Sequence, residues 1–99
     1  MINDLGGLCM IFISYSRDDD FRMKEICNDI NSLEYETWFD EHLNAGDEWW
    51  TSILNNIEKS NIFIFLVTKK SLKSDYCMAE CKYAIKTGSV ILPIIIDKN

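Results

Sequence analysis

The sequence predicts an α/β fold in which a parallel β-sheet carries helices on both faces. Short apolar runs alternate with stretches of amphipathic helical spacing, in the order β-α-β-α-β-α-β. Two of the runs, MIFISY and NIFIFLVT, are apolar at nearly every position, which is typical of strands covered on both faces. Such alternation favours right-handed crossovers, and ligands then bind at the carboxyl ends of the strands.

The first half of the chain predicts two strands, each followed by a helix. A strand spans 10–15, and the helix after it ends near Leu33. Asp18 to Asp20 suit the positive N-terminal end of that helix. A β-prone segment at 36–39 predicts the second strand, and the second helix begins near Asp47. Both helices have apolar residues at i, i+3, i+4 and i+7, which are Met23, Ile26, Cys27 and Ile30 in the first and Trp50, Ile53, Leu54 and Ile57 in the second.

The second half predicts the central strand at 61–68, a helix at 74–86 and a fourth strand at 90–96. Pro93 lies within the fourth strand and cannot donate to a sheet ladder, so this strand is expected at an edge or to end there. Three loops follow the carboxyl ends of the first three strands and are expected to hold any functional site. They are 16–20, 40–47 and 68–75.

The composition describes one small acidic domain. The chain has 99 residues and a net charge of −6, which argues against binding to nucleic-acid phosphates or to an anionic membrane surface. No apolar run approaches the roughly 20 residues of a membrane span, and Met1 to Cys9 lacks the basic start of an export signal. A cytoplasmic location is therefore expected.

Most familiar site chemistries lack their motifs in this chain. No glycine-rich dinucleotide fingerprint or phosphate-binding loop occurs, and Val67 to Lys69 stand where a receiver domain would carry its aspartate. His42, the only histidine, is not a credible base for a serine triad, and it is far from the cysteines that a zinc site would need. No metal is expected, and the four cysteines are expected to be buried, reduced thiols. They are Cys9, Cys27, Cys77 and Cys81.

Glu80 interrupts an apolar helical stripe. It shares the i, i+3, i+4, i+7 positions with Cys77, Cys81 and Ala84. Acids are rarely buried unless they are paired, because removing the charge from water is costly. Pattern alone favours a boundary residue whose carboxylate turns to solvent or pairs with a nearby lysine. The sharper interpretation is a site carboxylate near the start of a helix, under the strand ends.

Residues of the loops also have two interpretations. Arg17 is either a solvated charge or a bidentate clamp for a phosphate, and Asp40 either caps a turn or serves a site. Trp49 and Trp50 are adjacent and are not expected to face the core together. If Trp50 belongs to the core, Trp49 becomes a candidate for stacking on a ligand or anchoring an interface. Taken singly, each residue favours the structural interpretation.

Four segments together carry a family resemblance. They are FISYSRD at 12–18, WFD at 38–40 followed by Gly46, Asp47 and Trp49, SNIFIFLVT at 60–68 followed by Ser71, Ser74, Cys77 and Glu80, and LPI at 92–94. In this order they resemble the TIR (Toll/interleukin-1 receptor) domain, bacterial type, over about 10–97. The resemblance implies a flavodoxin-like three-layer sandwich with a parallel sheet of order 2-1-3-4-5.

The resemblance implies two functions. Some TIR domains hydrolyse or cyclise NAD at the nicotinamide–ribose bond, whereas others only assemble with further TIR domains in signal transduction. We expect a self-associating NAD hydrolase of signalling or defence, with NAD as substrate and no other cofactor. The alternative is a non-catalytic TIR–TIR adaptor, and an enzyme similar to nucleoside deoxyribosyltransferases ranks lower.

The resemblance also implies the site residues. Glu80 matches the glutamate that enzymatic members carry on the helix after the third strand, and Tyr76 matches an aromatic residue often found four positions earlier. The expected substrate contacts in the first loop are Tyr15, Ser16 and Arg17. Those expected in the region of the second loop are Asp40, Gly46 and Trp49.

The sequence departs from the family in its length. A TIR domain continues into another helix, a fifth strand and a last helix, whereas this sequence stops at Asn99. We therefore expect 1–9 to be an N-terminal extension and 10–99 a TIR domain that is incomplete at its C-terminus, with the sheet order 2-1-3-4.

Overall fold

The computed structural model describes residues 10–39 and 47–96, apart from the side chains of residues 47 and 48. Strands and helices alternate along the chain, as the sequence predicts. In chain order the elements are β1 Met10–Ser14, a 3-10 turn Arg17–Asp19, α1 Asp20–Ser32, β2 Glu36–Phe39, α2 Asp47–Lys59, β3 Ile62–Val67, α3 Lys69–Leu72, α4 Asp75–Thr87 and β4 Val90–Ile95.

The four strands form one parallel sheet in the order β2-β1-β3-β4. Ile13 of β1 is paired with Phe39 of β2 on one side and with Ile64 of β3 on the other. Phe65 of β3 is paired with Pro93 of β4. The predicted order 2-1-3-4 is confirmed, and the carboxyl ends of all four strands meet at one edge of the sheet.

Two apolar layers cover the sheet because successive residues of β1 and β3 point to opposite faces. One layer packs against α1 and contains Ile11, Ile13, Tyr15, Met23, Cys27, Ile64 and Leu66. The other packs against α2 and α4 and contains Phe12, Ile53, Ile57, Phe63, Phe65, Cys77 and Ala84. Helices on both faces and a doubly covered central strand are thereby confirmed.

The structure adds a one-turn helix, α3, where the sequence predicts only a loop. Thr68 ends β3 and begins α3 through a reciprocal capping box. Its Oγ1 accepts a hydrogen bond from the Ser71 N–H at 3.0 Å, while its own N–H donates to Ser71 Oγ at 2.8 Å. A serine in place of the usual glutamate or glutamine at the third position hides this capping signal.

Pro93 lies in an edge strand, as predicted, and its position explains why the sheet tolerates it. The Val90 N–H donates to the Asn61 carbonyl, and the Ile96 N–H donates to the Val67 carbonyl, each at 3.3 Å. Because backbone groups alternate sides along a strand, the even-numbered residues of β4 face β3 and Pro93 faces outward. The missing N–H of Pro93 therefore costs no hydrogen bond among the four described strands.

No helix among residues 10–39 and 47–96 combines the length and apolar character that crossing a membrane requires.

Phe65 provides the stability test of this fold. We expect Ile64, Phe65 and Leu66 to be buried in a doubly covered strand, and they are, with Phe65 7% exposed. Phe65→Ala should lower the free energy of unfolding by about 3–5 kcal/mol, because it removes a buried ring and leaves a cavity. The measurement is urea unfolding, with Phe21→Ala as the control, since Phe21 is 75% exposed. Similar losses in the two variants would contradict the doubly covered sheet.

Candidate functional site

Glu80 is buried against the end of β1. Its side chain is 3% exposed, and its Oε1 accepts a hydrogen bond of 2.7 Å from the Ser14 hydroxyl. The interpretation of Glu80 as a boundary residue turned to solvent is therefore wrong. Glu80 can be buried because Ser14, at the carboxyl end of β1, supplies the hydrogen-bond donor that a buried carboxylate requires.

Cys77 lies one helical turn before Glu80 and is 2% exposed. Burial raises the pKa of the Cys77 thiol most strongly; hydrogen bonds with Ser74 and Ser14 act in the opposite direction, and the negative charges of Glu80 and Asp19 raise it further. A thiol that keeps its proton is a poor nucleophile. Cys77 is therefore a structural member of the site.

The other described cysteines are Cys27, which is buried, and Cys81, which is half-buried, so the prediction that every cysteine is buried is wrong for Cys81. Burial raises the pKa of the Cys27 and Cys81 thiols as well, and all three described cysteines are free of disulfides. Within the described part of the chain, no group of three or more histidine, cysteine, aspartate or glutamate side chains could hold a metal ion. Cys9 lies outside the described residues.

An aromatic cluster of Trp49, Trp50 and Tyr76 lies at the starts of α2 and α4. The Tyr76 ring is 50% exposed, and its centroid lies 5.3 Å from that of Trp49 and 6.1 Å from that of Trp50. Tyr76 precedes Glu80 by one helical turn, so the two side chains share a helix face. The cluster therefore provides an aromatic surface beside the buried carboxylate.

Trp49 and Trp50 correct one prediction. Both indoles are half-buried and pack against the same apolar layer, although adjacent helical positions were expected to divide between core and solvent. They occupy the first turn of α2, where side chains lean past the helix end, and the Tyr76 ring contacts both. Two large indoles at a helix end can thus cover one core together.

The first-loop residues are divided between core and surface. Tyr15 is 5% exposed and lies in the layer against α1, with its ring edge-on to Phe39 at 6.1 Å. Ser16 is half-buried and accepts a hydrogen bond from the Asp19 N–H at its carbonyl, while Arg17 is exposed. Tyr15 therefore lies on the opposite face of the sheet from the Glu80 side chain.

The structure brings together three of the predicted site residues, Glu80, Tyr76 and Trp49. They lie on the face of the sheet that α2 and α4 cover, near the carboxyl ends of the strands. Ser16 and Arg17 border this end through the turn that follows β1. Asp40 and Gly46, which the sequence also predicts as substrate contacts, lie outside the described residues.

The acids after β1 bind neighbouring side chains. Asp19 Oδ2 accepts a hydrogen bond of 2.7 Å from the Thr68 hydroxyl, and Asp18 forms an ion pair of 3.1 Å with Lys70. Asp20 forms an ion pair of 3.0 Å with Lys24. The first two contacts join the turn after β1 to the one after β3, which fixes two borders of the candidate site.

Sequence reasoning missed Ser14 as a member of the site. The signal was present, because a serine at the end of an apolar, doubly covered strand must find a hydrogen-bond partner. Its partner could not be identified, since Glu80 lies 66 residues further along the chain.

Comparison with known proteins identifies one family across nearly all of the chain. The family model for the TIR domain matches residues 11–99. A curated relative, the uncharacterized protein y4lF of Sinorhizobium fredii (strain NBRC 101917 / NGR234), is 27% identical over 95 residues. That match covers 87% of this chain and 29% of the relative, so the chain spans less than a third of the relative's length.

Solved structures share the fold at low sequence identity. The TIR domain of the Toll-related receptor TRR-2 from Hydra magnipapillata has a TM-score of 0.76 at 18% identity, covering 90% of this chain and 71% of that one. The CMP N-glycosidase BcmB of Clostridium botulinum has a TM-score of 0.72 at 15% identity, covering 91% and 71%. The TIR domains of the activated Roq1 resistosome, which recognises the pathogen effector XopQ, have a TM-score of 0.75 at 17% identity, covering 92% and 59%.

The buried thiols make stability depend on pH. Their pKa values are raised in the folded chain, so it holds thiol protons that the unfolded chain releases above about pH 8.5. The contribution of the protonated thiols to the free energy of unfolding is complete below that pH. It is lost as pH rises through the pKa values that the thiols have in the folded chain. Urea unfolding at about pH 7.5, 8.5 and 9.5 should therefore show a falling free energy of unfolding.

Cys77→Ala is the control for this pH dependence. It should lower stability at every pH, but its stability should fall less steeply above about pH 8.5 than that of the unaltered chain. Equal slopes for the two proteins would show that the Cys77 thiol does not contribute.

Proposed function

Since the chain belongs to the TIR domain family, we propose that it hydrolyses NAD at the nicotinamide–ribose bond as part of self-associating signalling or defence. One observation carries the proposal. Glu80 is a buried carboxylate held by Ser14 at the carboxyl ends of the strands, one helical turn from the half-exposed ring of Tyr76. A charge is costly to bury, and the arrangement suits a substrate that develops positive charge.

The chemistry of NAD requires little from the protein. Its nicotinamide is a pyridinium and leaves as a neutral molecule, so no general acid is needed to protonate the leaving group. Ordinary glycosidases, in contrast, need a pair of carboxylates. In our proposal Glu80 alone orients the ribose hydroxyls and stabilises the oxocarbenium-like transition state.

Other side chains at this end of the sheet suit the rings and the pyrophosphate of NAD. The aromatic cluster offers the faces of Tyr76 and Trp49 for stacking on the nicotinamide or adenine ring. Arg17 is exposed beside this end of the sheet and suits the pyrophosphate. The acids near it oppose an anion less than their number suggests, because Asp18 is paired with Lys70.

One structural neighbour supports N-glycosidic chemistry on this fold. BcmB is a CMP N-glycosidase, and its bond type is that of the nicotinamide–ribose link. At 15% identity the likeness supports only the fold, so CMP enters as a competing substrate rather than as an established one. The activity, substrates and partners of a longer protein that contains this domain are part of the same proposal.

Glu80→Gln should abolish nicotinamide release from NAD and leave the fold intact, because it removes the negative charge and keeps the shape. Released nicotinamide is measured chromatographically, with CMP as the second substrate. Glu25→Gln is the matched control, since Glu25 is exposed on α1, across the sheet from the candidate site. The three proteins should have similar thermal unfolding curves.

The outcomes separate the candidate activities. Unchanged turnover by Glu80→Gln contradicts the proposed role of Glu80. Release of cytosine from CMP, with no release of nicotinamide from NAD, would show that CMP and not NAD is the substrate. Absence of both activities at high protein concentration contradicts an enzyme and favours the adaptor.

The adaptor function is the second candidate. It is supported by the Roq1 resistosome, whose TIR domains belong to an assembly, and by the exposed apolar residues of the β4 edge. In our proposal, the loop that the sequence predicts at 40–47, together with Trp49, meets a neighbouring copy in the assembly. The edge of β4 offers a competing route through backbone pairing.

Gly46→Arg should block functional assembly, because it places a bulky charge in the loop proposed to meet the neighbour. Activity per molecule in the unaltered protein should then fall on dilution. Ile95→Lys is the control, since Ile95 is 74% exposed on β4 and a charge there should reduce only edge aggregation. Constant activity per molecule over a dilution series, together with no effect of Gly46→Arg, would refute assembly through this loop.

A further inference from the structure

The hydroxyl of Ser14 donates a hydrogen bond to the Glu80 carboxylate. Ser14 is 1% exposed and Glu80 is 3% exposed, and the Ser14 Oγ lies 2.7 Å from Glu80 Oε1. A hydrogen bond from a hydroxyl to an ionised carboxylate is charge-assisted and is stronger than a bond between neutral groups. Burial of both partners excludes competing water from it.

The backbone holds Ser14 firmly. Ser14 ends β1, which lies between β2 and β3, and it is paired with Phe65 of the central strand. Glu80 belongs to α4, which starts at the capping hydroxyl of Ser74. The bond therefore joins a rigid strand end to a rigid helix across the apolar layer, so it can fix the orientation of the carboxylate.

We propose that Ser14 is a positioning residue that holds the Glu80 carboxylate in its reactive orientation and favours its ionised form. The proposal rests on the proposed function for its catalytic meaning. The Ser14–Glu80 pairing itself can be tested without any activity. Ser14 does not touch the substrate in this scheme and acts only through Glu80.

Other charged and titratable groups near Ser14 and Glu80 also affect the ionisation of the Glu80 carboxyl group. On α4, burial and then the negative charges of Glu80 and Asp19 raise the pKa of the Cys77 thiol. Asp19 belongs to the turn after β1, and β3 carries no titratable side chain. On α2 the described acid that bonds to α4 is Glu58, whose partner is Tyr83. The Ser14 hydroxyl therefore stabilises a carboxylate in a region where the neighbouring charge is negative.

Ser14→Ala tests the proposal through the titration of Glu80. In ¹³C NMR spectra, with the Glu80 carboxyl signal assigned by its loss in Glu80→Gln, the titration midpoint should move to higher pH by about one unit, because the variant loses a donor to the charged form. The acid limb of the kcat profile for NAD should move the same way. In addition, kcat should fall roughly ten- to a hundredfold with little change in KM.

Two other variants complete the test. Ser14→Thr keeps the hydroxyl and should restore the midpoint and most of the activity. Ser60→Ala is the matched control, because Ser60 is also buried and donates a hydrogen bond, but to the Asn56 carbonyl at the opposite end of the sheet. It should leave the titration of Glu80 unchanged. If Ser14→Ala does not fold, Ser14→Cys, with its weaker donor, should show a shift in the same direction.

The outcomes keep the two proposals apart. An unchanged Glu80 midpoint in folded Ser14→Ala or Ser14→Cys overturns the positioning role, whatever the activity. A shifted midpoint in a protein that cleaves no NAD supports the pairing and refutes the hydrolase. A fall in activity shared equally by Ser14→Ala and Ser60→Ala would mean that the loss of a buried hydroxyl acts through stability alone.

Discussion

The central position of β1 and β3 is the constraint on which the rest of the molecule depends. Each pairs with strands on both sides and is covered on both faces, so its register and the direction of its side chains are fixed. Parallel pairing then brings every carboxyl end to one edge. Ser14 ends its strand beside Phe65, and α4 can place Glu80 against it. The candidate site is therefore a product of strand register.

Most of the fold could be predicted because hydrophobic periodicity is a local signal. The apolar runs of β1 and β3 and the regular spacing in α1 and α2 each lie within a few residues of the chain. Pro93 indicated an edge or a strand end for β4, because proline cannot donate to a sheet ladder. The short helix α3 escaped prediction because Thr68 and Ser71 cap it with an uncommon pair of hydroxyls.

The candidate site was less predictable because its contacts join distant parts of the sequence. The local pattern favours Glu80 as a boundary residue, because its hydrogen-bond partner, Ser14, belongs to a distant element. Trp49 and Trp50 pack against one core, and both contact Tyr76, which no local pattern connects to them. Family resemblance could indicate Glu80 and Tyr76 as site residues. Only the three-dimensional packing shows what holds them.

The outward orientation of Pro93 gives the free side of β4 an imbalance between donors and acceptors. The described edge presents the carbonyls of Ile91, Pro93 and Ile95 but N–H groups from Ile91 and Ile95 only. A strand that pairs with this side of β4 would lack one hydrogen bond at Pro93. Only some registers would then leave no carbonyl of that strand unpaired. The proline thus leaves the described sheet intact and restricts the register in which a further strand can pair with β4, beside the exposed Ile95 and Leu92.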